Sequence, residues 1–210
     1  MKGIIVCKSR AGLDNIKESD TELVIWQRSL PSSLQDWINQ TNSNRLPDIR
    51  ILVKFKELRP ALEPLLDRCG LIANDMREQL VRDVNDLVLT FADITRSVDV
   101  DVRLQRVSHD ACWKFHRDTV KTRLLTTYRG PTTEWVRHAY AEQAIHEQRE
   151  FEGPLEQLGD NDVAIFKGSC ASPDRGIVHR SPLITGTGQT RLLLCLNQRT
   201  NTSPTPWAEA

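Results

Sequence analysis

The spacing of apolar side chains changes period near residue 97, and that change limits what this chain can fold into. Ile72, Met76, Leu80, Val84, Leu87, Val88, Phe91 and Ile94 recur at three- and four-residue steps. On a helix of 3.6 residues per turn they form one stripe. Asp75, Arg77, Glu78, Arg82, Asp83 and Asp86 fall on the other face, so the pattern predicts a scaffold helix over 72–96. From Val98 the period is two. Val98, Val100, Val102 and Leu104 alternate with polar residues, which is the pattern of a strand with one apolar face. A stripe and a face that must both be covered predict helices packed on a sheet, an α+β architecture.

Upstream of the change the signals are mainly helical. Pro31-Ser32-Ser33 precedes Leu34, Trp37 and Ile38 at helical spacing, and Pro60 to Leu66 reads as a short helix ending at Gly70. Glu22 to Gln27 and Ile49 to Phe55 are short strand-like runs. Downstream the strand signals are Thr122–Tyr128, Glu134–Val136, Val163–Phe166, Ile177–His179 and Arg191–Leu196. Turn residues separate them at Arg129-Gly130-Pro131, Gly159-Asp160-Asn161-Asp162, the loop of 168–176 with Pro173, and Thr185-Gly186-Thr187-Gly188. Residues 138–152 are charged and weakly patterned, which predicts an exposed loop or lid. The expected organisation is a mainly helical region over 1–97, a barrel or sandwich over 98–197, and a flexible tail over 198–210.

Lys+Arg and Asp+Glu are both 28, for a net charge of zero. No global field therefore draws the chain to nucleic acid or anionic lipid, and no apolar run approaches the roughly 20 residues that span a bilayer. Five cysteines with no Cys-x-x-Cys pair, and an N-terminal apolar run too short for a signal peptide, predict a cytoplasmic protein without a disulfide framework.

Candidate chemistry centres on Trp113-Lys114-Phe115-His116-Arg117-Asp118. In an extended segment side chains two apart share a face, so His116 and Asp118 can grip a divalent metal together. His179 is a third ligand on a later strand. Two His and one carboxylate leave coordination positions open, the facial arrangement of non-haem Fe(II) oxygenases. Arg191, twelve positions on, can hold a carboxylate with its guanidinium fork. Were His179 and Arg191 on one hairpin, they would share a face only with an odd loop length. Cys112 and Cys170 are possible additional ligands, and a thiolate joined to the three would close a zinc site. Without a metal, His116–Asp118 would be a hydrogen-bonded surface pair and His179 a core histidine. Arg117, Arg123, Arg129 and Arg180, if clustered near the site, would read an anionic substrate.

His116-x-Asp118, then His179, then Arg191, resembles the motif of Fe(II)/2-oxoglutarate-dependent dioxygenases, and Gly159 to Phe166 resembles the strand entering their distal-histidine hairpin. The resemblance covers about residues 98–197. It implies a cupin-like double-stranded β-helix (jelly roll), with the helical N-terminal half packed on it. It also implies Fe(II) held by His116, Asp118 and His179, and 2-oxoglutarate held through its distal carboxylate by Arg191 and hydrogen-bonded by Tyr128. The expected activity is oxygenation of a small-molecule or peptide substrate. Arg191 is followed by Leu192-Leu193, where that family carries Arg-x-Ser. More closely, Trp113 to Leu196, with Thr127 to Pro131 and His179 to Pro182, resembles an uncharacterised bacterial domain family associated with zinc-handling GTPases. That likeness implies the alternative of a zinc-binding, non-enzymatic protein in metal homeostasis.

Overall fold

The computed structural model describes residues 3–171 and 176–208; Pro173 of the expected loop lies outside them. The strands are β1 (Ile4–Cys7), β2 (Leu23–Trp26), β3 (Ile49–Lys54), β4 (Asp99–Val107), β5 (Thr122–Arg129), β6 (Glu134–Val136), β7 (Glu156–Gln157), β8 (Val163–Lys167), β9 (Val178–Arg180) and β10 (Arg191–Gln198). The helices are α1 (Ser32–Gln40), α2 (Leu58–Arg68), α3 (Asp75–Thr95) and α4 (Ala141–Glu147). Seven strands form a large sheet in the order β1-β2-β8-β5-β10-β4-β3, antiparallel except for β1 with β2. Three form a small antiparallel sheet, β7-β6-β9, and His116 adds one antiparallel bridge to His179 of β9.

The period change lies where α3 passes into β4. Asn74 caps α3 by accepting the Arg77 backbone N–H at 2.8 Å, and Arg96 closes it in the left-handed conformation at φ 53°. Leu80, Val84, Leu87, Val88 and Phe91 are buried against Val100, Val102 and Leu104 of β4, Leu192, Leu194 and Leu196 of β10, and Leu124 and Tyr128 of β5. Each such side chain contributes roughly 1.5–3 kcal/mol by leaving water. Ile72, expected on the stripe, precedes the helix and is exposed.

The other face of the large sheet carries Leu23, Ile25, Leu125, Ala164 and Phe166, which pack with Trp135, Leu158 and Ile177 of the small-sheet side. From β4 onward the chain alternates between the sheets: β4, the His116 bridge, β5, then β6 and β7, then β8, β9 and β10.

Three expectations change. The N-terminal region supplies its helices and the two expected strand-like runs as β2 and β3, but these and the unanticipated β1 join the large sheet, so both of its edges come from this region. Residues 138–150 are α4 flanked by two single 3-10 turns, with Ala141 and Ala144 buried beside Phe115, Val136 and Val178, where the sequence predicts an exposed loop or lid. The tail is tied down. Trp207 donates its N–H to the Leu52 carbonyl at 2.7 Å, Pro206 bridges Leu52, and the Thr202 carbonyl accepts from Arg50. Among the described residues no helix is long and apolar enough to cross a membrane.

Candidate metal centre

His116 and Asp118 are brought to one face as their spacing predicts, although the segment around them is not a regular strand. Cys112 is left-handed (φ 51°), and only His116 joins the small sheet, exchanging both backbone hydrogen bonds with His179 at 3.1 Å. On its other side Phe115 has no strand partner. The side-chain amide of Gln148 takes its place, accepting the Phe115 N–H at 2.8 Å and donating to the Phe115 carbonyl at 3.1 Å. Asp118 is fixed by a second clasp. Ser169 donates its N–H to the Asp118 carbonyl at 2.8 Å and Gly168 donates to Lys121. A Cβ at residue 168 would collide with the Asp118 and Val120 carbonyls, so this approach requires glycine.

The ligand atoms of His116, Asp118 and His179 all lie within 4.8 Å of one another. His116 Nε2 is 3.5 Å from Asp118 Oδ1, and His179 Nε2 is 3.5 Å from Asp118 Oδ2. Each Nδ1 faces a backbone carbonyl, Lys114 at 2.7 Å for His116 and Ile177 at 3.1 Å for His179. A carbonyl only accepts, so Nδ1 carries the hydrogen and the neutral ring turns a bare Nε2 lone pair toward the carboxylate. Two lone pairs and a carboxylate converging on one point repel unless a cation sits among them. Nδ1–H bonded to a carbonyl is also how metal-bound imidazoles are oriented. Asp118 Oδ1 accepts from Arg123 Nη1 at 2.6 Å, while the buried Oδ2 has no hydrogen-bond partner among the described residues. Donor chemistry and the orphaned oxygen both fit a divalent metal.

The charge states agree. Burial, which outweighs Asp118, pushes His179 down to about 4, so its imidazole is neutral at pH 7. The contact with Asp118 raises His116 above its ordinary value against burial. Burial alone would push Asp118 up, but His116, His179 and Arg123 together hold it below the usual carboxylate range.

Arg191 opens β10 and faces the inter-sheet space. Its side chain is 1% exposed; Nη1 donates to Ser181 Oγ at 2.9 Å and Nη2 to Thr133 Oγ1 at 3.4 Å. Nε has no partner, and among the described residues no carboxylate pairs with this guanidinium. Burial pulls Arg191 down to about 10, with weak opposition from Cys112 and Glu134, so it is still cationic at neutral pH. Ser181 is two residues beyond His179, which places the cation beside the triad. The two residues do not share a hairpin: β9 belongs to the small sheet and β10 to the large one, and Arg191 reaches across to the small-sheet side through Ser181 and Thr133. A narrow apolar cavity lined by Thr133, Trp135, Ala164, Phe166 and His179 lies between the sheets.

Other expected residues lie elsewhere. Tyr128 points to the helix side, where its hydroxyl donates to Asp83 at 2.6 Å beside Arg28, so it does not face a co-substrate held by Arg191. Alternation along β5 turns Thr127 to the triad side instead, and its buried hydroxyl is unpartnered among the described residues. Among the described residues neither Cys112 nor Cys170 joins the ligand cluster, and both are exposed. Of the four bystander arginines only Arg123 touches the triad. Arg117 pairs with Glu142, Arg180 with Glu134, and Arg129 caps the carbonyl end of α1 at Ile38 and Thr41. Asp110 secures the loop that carries Ile184 and Thr185 by accepting both backbone N–H groups. Ser181, Thr133 and Gln148 are not singled out as site-builders by the sequence, and Arg123 is anticipated there only as a possible reader of an anionic substrate, not as the partner that fixes Asp118.

The chain belongs to the family described as a protein of unknown function, DUF1826, whose profile matches residues 8–197. No match is found among curated proteins. Among solved structures it is similar to a Pseudomonas putida prolyl-4-hydroxylase, at 11% identity over 91% of this chain and 99% of that one, with a TM-score of 0.45. It is similar to JOX2 in complex with 2OG, Fe and JA, at 10% identity over 98% and 77%, with a TM-score of 0.47. A putative oxygenase from Shewanella oneidensis matches at 13% identity over 92% and 88%, with a TM-score of 0.41.

Proposed function

We propose that this protein is a mononuclear non-haem iron oxygenase that uses 2-oxoglutarate, built on a double-stranded β-helix. The single observation that carries the reading is the pairing of two incomplete sites. Beside an imidazole–carboxylate–imidazole cluster whose lone pairs converge, a buried arginine stands without a carboxylate among the described residues. A metal completes the first and the distal carboxylate of an oxo-diacid completes the second. The alternation of successive strands between two facing sheets supports the β-helix.

His116, Asp118 and His179 would hold Fe(II), leaving positions open. A metal held there would supply oxidative chemistry on dioxygen coupled to decarboxylation of the co-substrate. This chain's residues do the rest. Gln148 and Gly168 fix the backbone of the two near ligands, and the Lys114 and Ile177 carbonyls hold both rings in the ligating tautomer. Arg191 anchors the far carboxylate, and the apolar walls of Trp135, Ala164 and Phe166 exclude water between the ends. The zinc alternative has less support, because no thiol joins the ligand cluster among the described residues.

The test is elemental analysis of the purified chain together with succinate release from 2-oxoglutarate under O₂ and Fe(II). Wild type is expected to give iron-dependent succinate and His179→Ala none. Tightly bound zinc without turnover, or no metal in either protein, contradicts the proposal.

A further inference from the structure

We propose that Arg103 and Arg123 form an oxyanion subsite beside the triad, where an anionic group of the substrate, phosphate or carboxylate, is held. The statement about substrate rests on the oxygenase reading; the anion site itself does not.

Strand alternation puts the groups on one face. Val100, Val102 and Leu104 of β4 and Leu194 and Leu196 of β10 pack toward the helices, so Asp101, Arg103, Cys195 and Asn197 point the other way. Cys195 lies opposite Arg103, and Asn197 lies opposite both Asp101 and Arg123. The two arginines therefore flank β10 diagonally, and Asp118 closes the row.

Their hydrogen bonds are uneven. Arg123 donates from Nε to Asn197 at 2.8 Å and from Nη1 to Asp118 at 2.6 Å, which leaves Nη2 uncommitted among the described residues. Arg103 comes only within 3.5 Å of Asp101. That carboxylate is already occupied: Arg50 takes both oxygens, at 3.2 and 2.8 Å, and Ser203 donates to Oδ2 at 2.9 Å. Arg103 Nε is buried 3.5 Å from Asp101 Oδ1 without a hydrogen bond, its two Nη groups make none among the described residues, and its side chain is 28% exposed. A guanidinium whose Nε is turned to an already shared carboxylate keeps its two Nη groups for another acceptor, and an oxyanion fits that fork. The charge is uneven too. Arg50, Arg103 and Arg123 share Asp101 and Asp118, in a chain that is neutral as a whole. A cation at the triad would draw on Asp118 as well, leaving Arg123 and Arg103 with a stronger field for an anion. Anion and metal binding should therefore be positively coupled.

The experiment is calorimetric titration of the full chain with inorganic phosphate and, separately, acetate, each with and without Mn(II). Wild type is expected to bind, more tightly with Mn(II), and the tighter anion names the group the substrate carries. Arg103→Gln should weaken binding about tenfold or more, and Arg103→Lys less. Arg199→Gln, which removes an exposed cation paired with Asp99, should change nothing. Equal binding by wild type and Arg103→Gln, or heat from neither anion, overturns the proposal. If Mn(II) fails to bind while phosphate still depends on Arg103, the oxygenase reading fails and the anion site stands.

Discussion

His116 and His179 are pushed in opposite directions, His116 up by its contact with Asp118 and His179 down by burial, and this sets how the site responds to pH. His179 is enclosed and neutral across the physiological range, so it would ligate a metal without losing a proton. His116 is about one-third exposed, and its contact with Asp118 raises it above its ordinary value, so protons would compete with a metal for its Nε2. The sign follows directly. As pH falls through the raised His116 range the proton wins, so metal affinity is expected to fall on going from neutral to mildly acidic solution. Calorimetry of Mn(II) binding in buffers of different ionisation enthalpy should report proton release that grows as the pH is lowered. A pH-independent affinity would remove His116 from the ligand set. Arg191→Gln is expected to weaken 2-oxoglutarate binding about 10- to 150-fold, the worth of roughly 1.5–3 kcal/mol of charge-assisted hydrogen bonding, with Mn(II) affinity unchanged. Equal loss of both would mean that the substitution disturbs the fold instead.

At the scale of elements, the segment 112–121 is held by pieces of chain that are not its strand neighbours. Gly168→Ala is expected to cost about 1–3 kcal/mol, as overpacking does. It should also weaken metal binding, because the Asp118 carbonyl must move; a lower thermal midpoint with intact metal affinity would contradict the clasp. These supports also mark where the sequence stops being legible. His116-x-Asp118 is readable because extended chain has a fixed period of two, which persists here although the segment makes a single ladder contact. Tyr128 is misplaced by sequence reasoning because β5 is buried on both faces, with Leu124 and Leu125 adjacent. In such a strand the alternation is visible but its phase is not. Here the phase is set by the hydrogen bond from Tyr128 to Asp83, a contact 45 residues away. The α4 segment is unreadable for another reason: seven residues are too few for a 3.6-residue period to show.

For the whole molecule, the two ends of the chain close the large sheet. Strands β1 and β2 extend it beyond β8, and β3 edges it beyond β4. Residues 200–207 then cover β3 through one backbone bond to Leu52, through Arg50 and Ser203, and through Trp207 packed on the core; none of these contacts is periodic, which is why the tail reads as frayed in the sequence. Asp101 joins the pieces, touching Arg50 of β3 and Ser203 of the tail. Burial alone would raise its carboxyl, but Arg50, Ser203 and Arg103 hold it below the ordinary range. A depressed carboxyl stabilises the fold above its unfolded value, about 3.9, and that contribution is lost as pH falls through the folded value. Urea midpoints of wild type should therefore drop between pH 5 and pH 2 more steeply than those of Asp101→Asn, and parallel curves would contradict the linkage. The central claim, that the triad and Arg191 are two ends of one site, is tested most directly by calorimetric titration of 2-oxoglutarate into the chain without O₂. The account expects tight binding only after Mn(II) loading, lost in His179→Ala, whereas binding that is equal with and without metal, or absent in both, would contradict it.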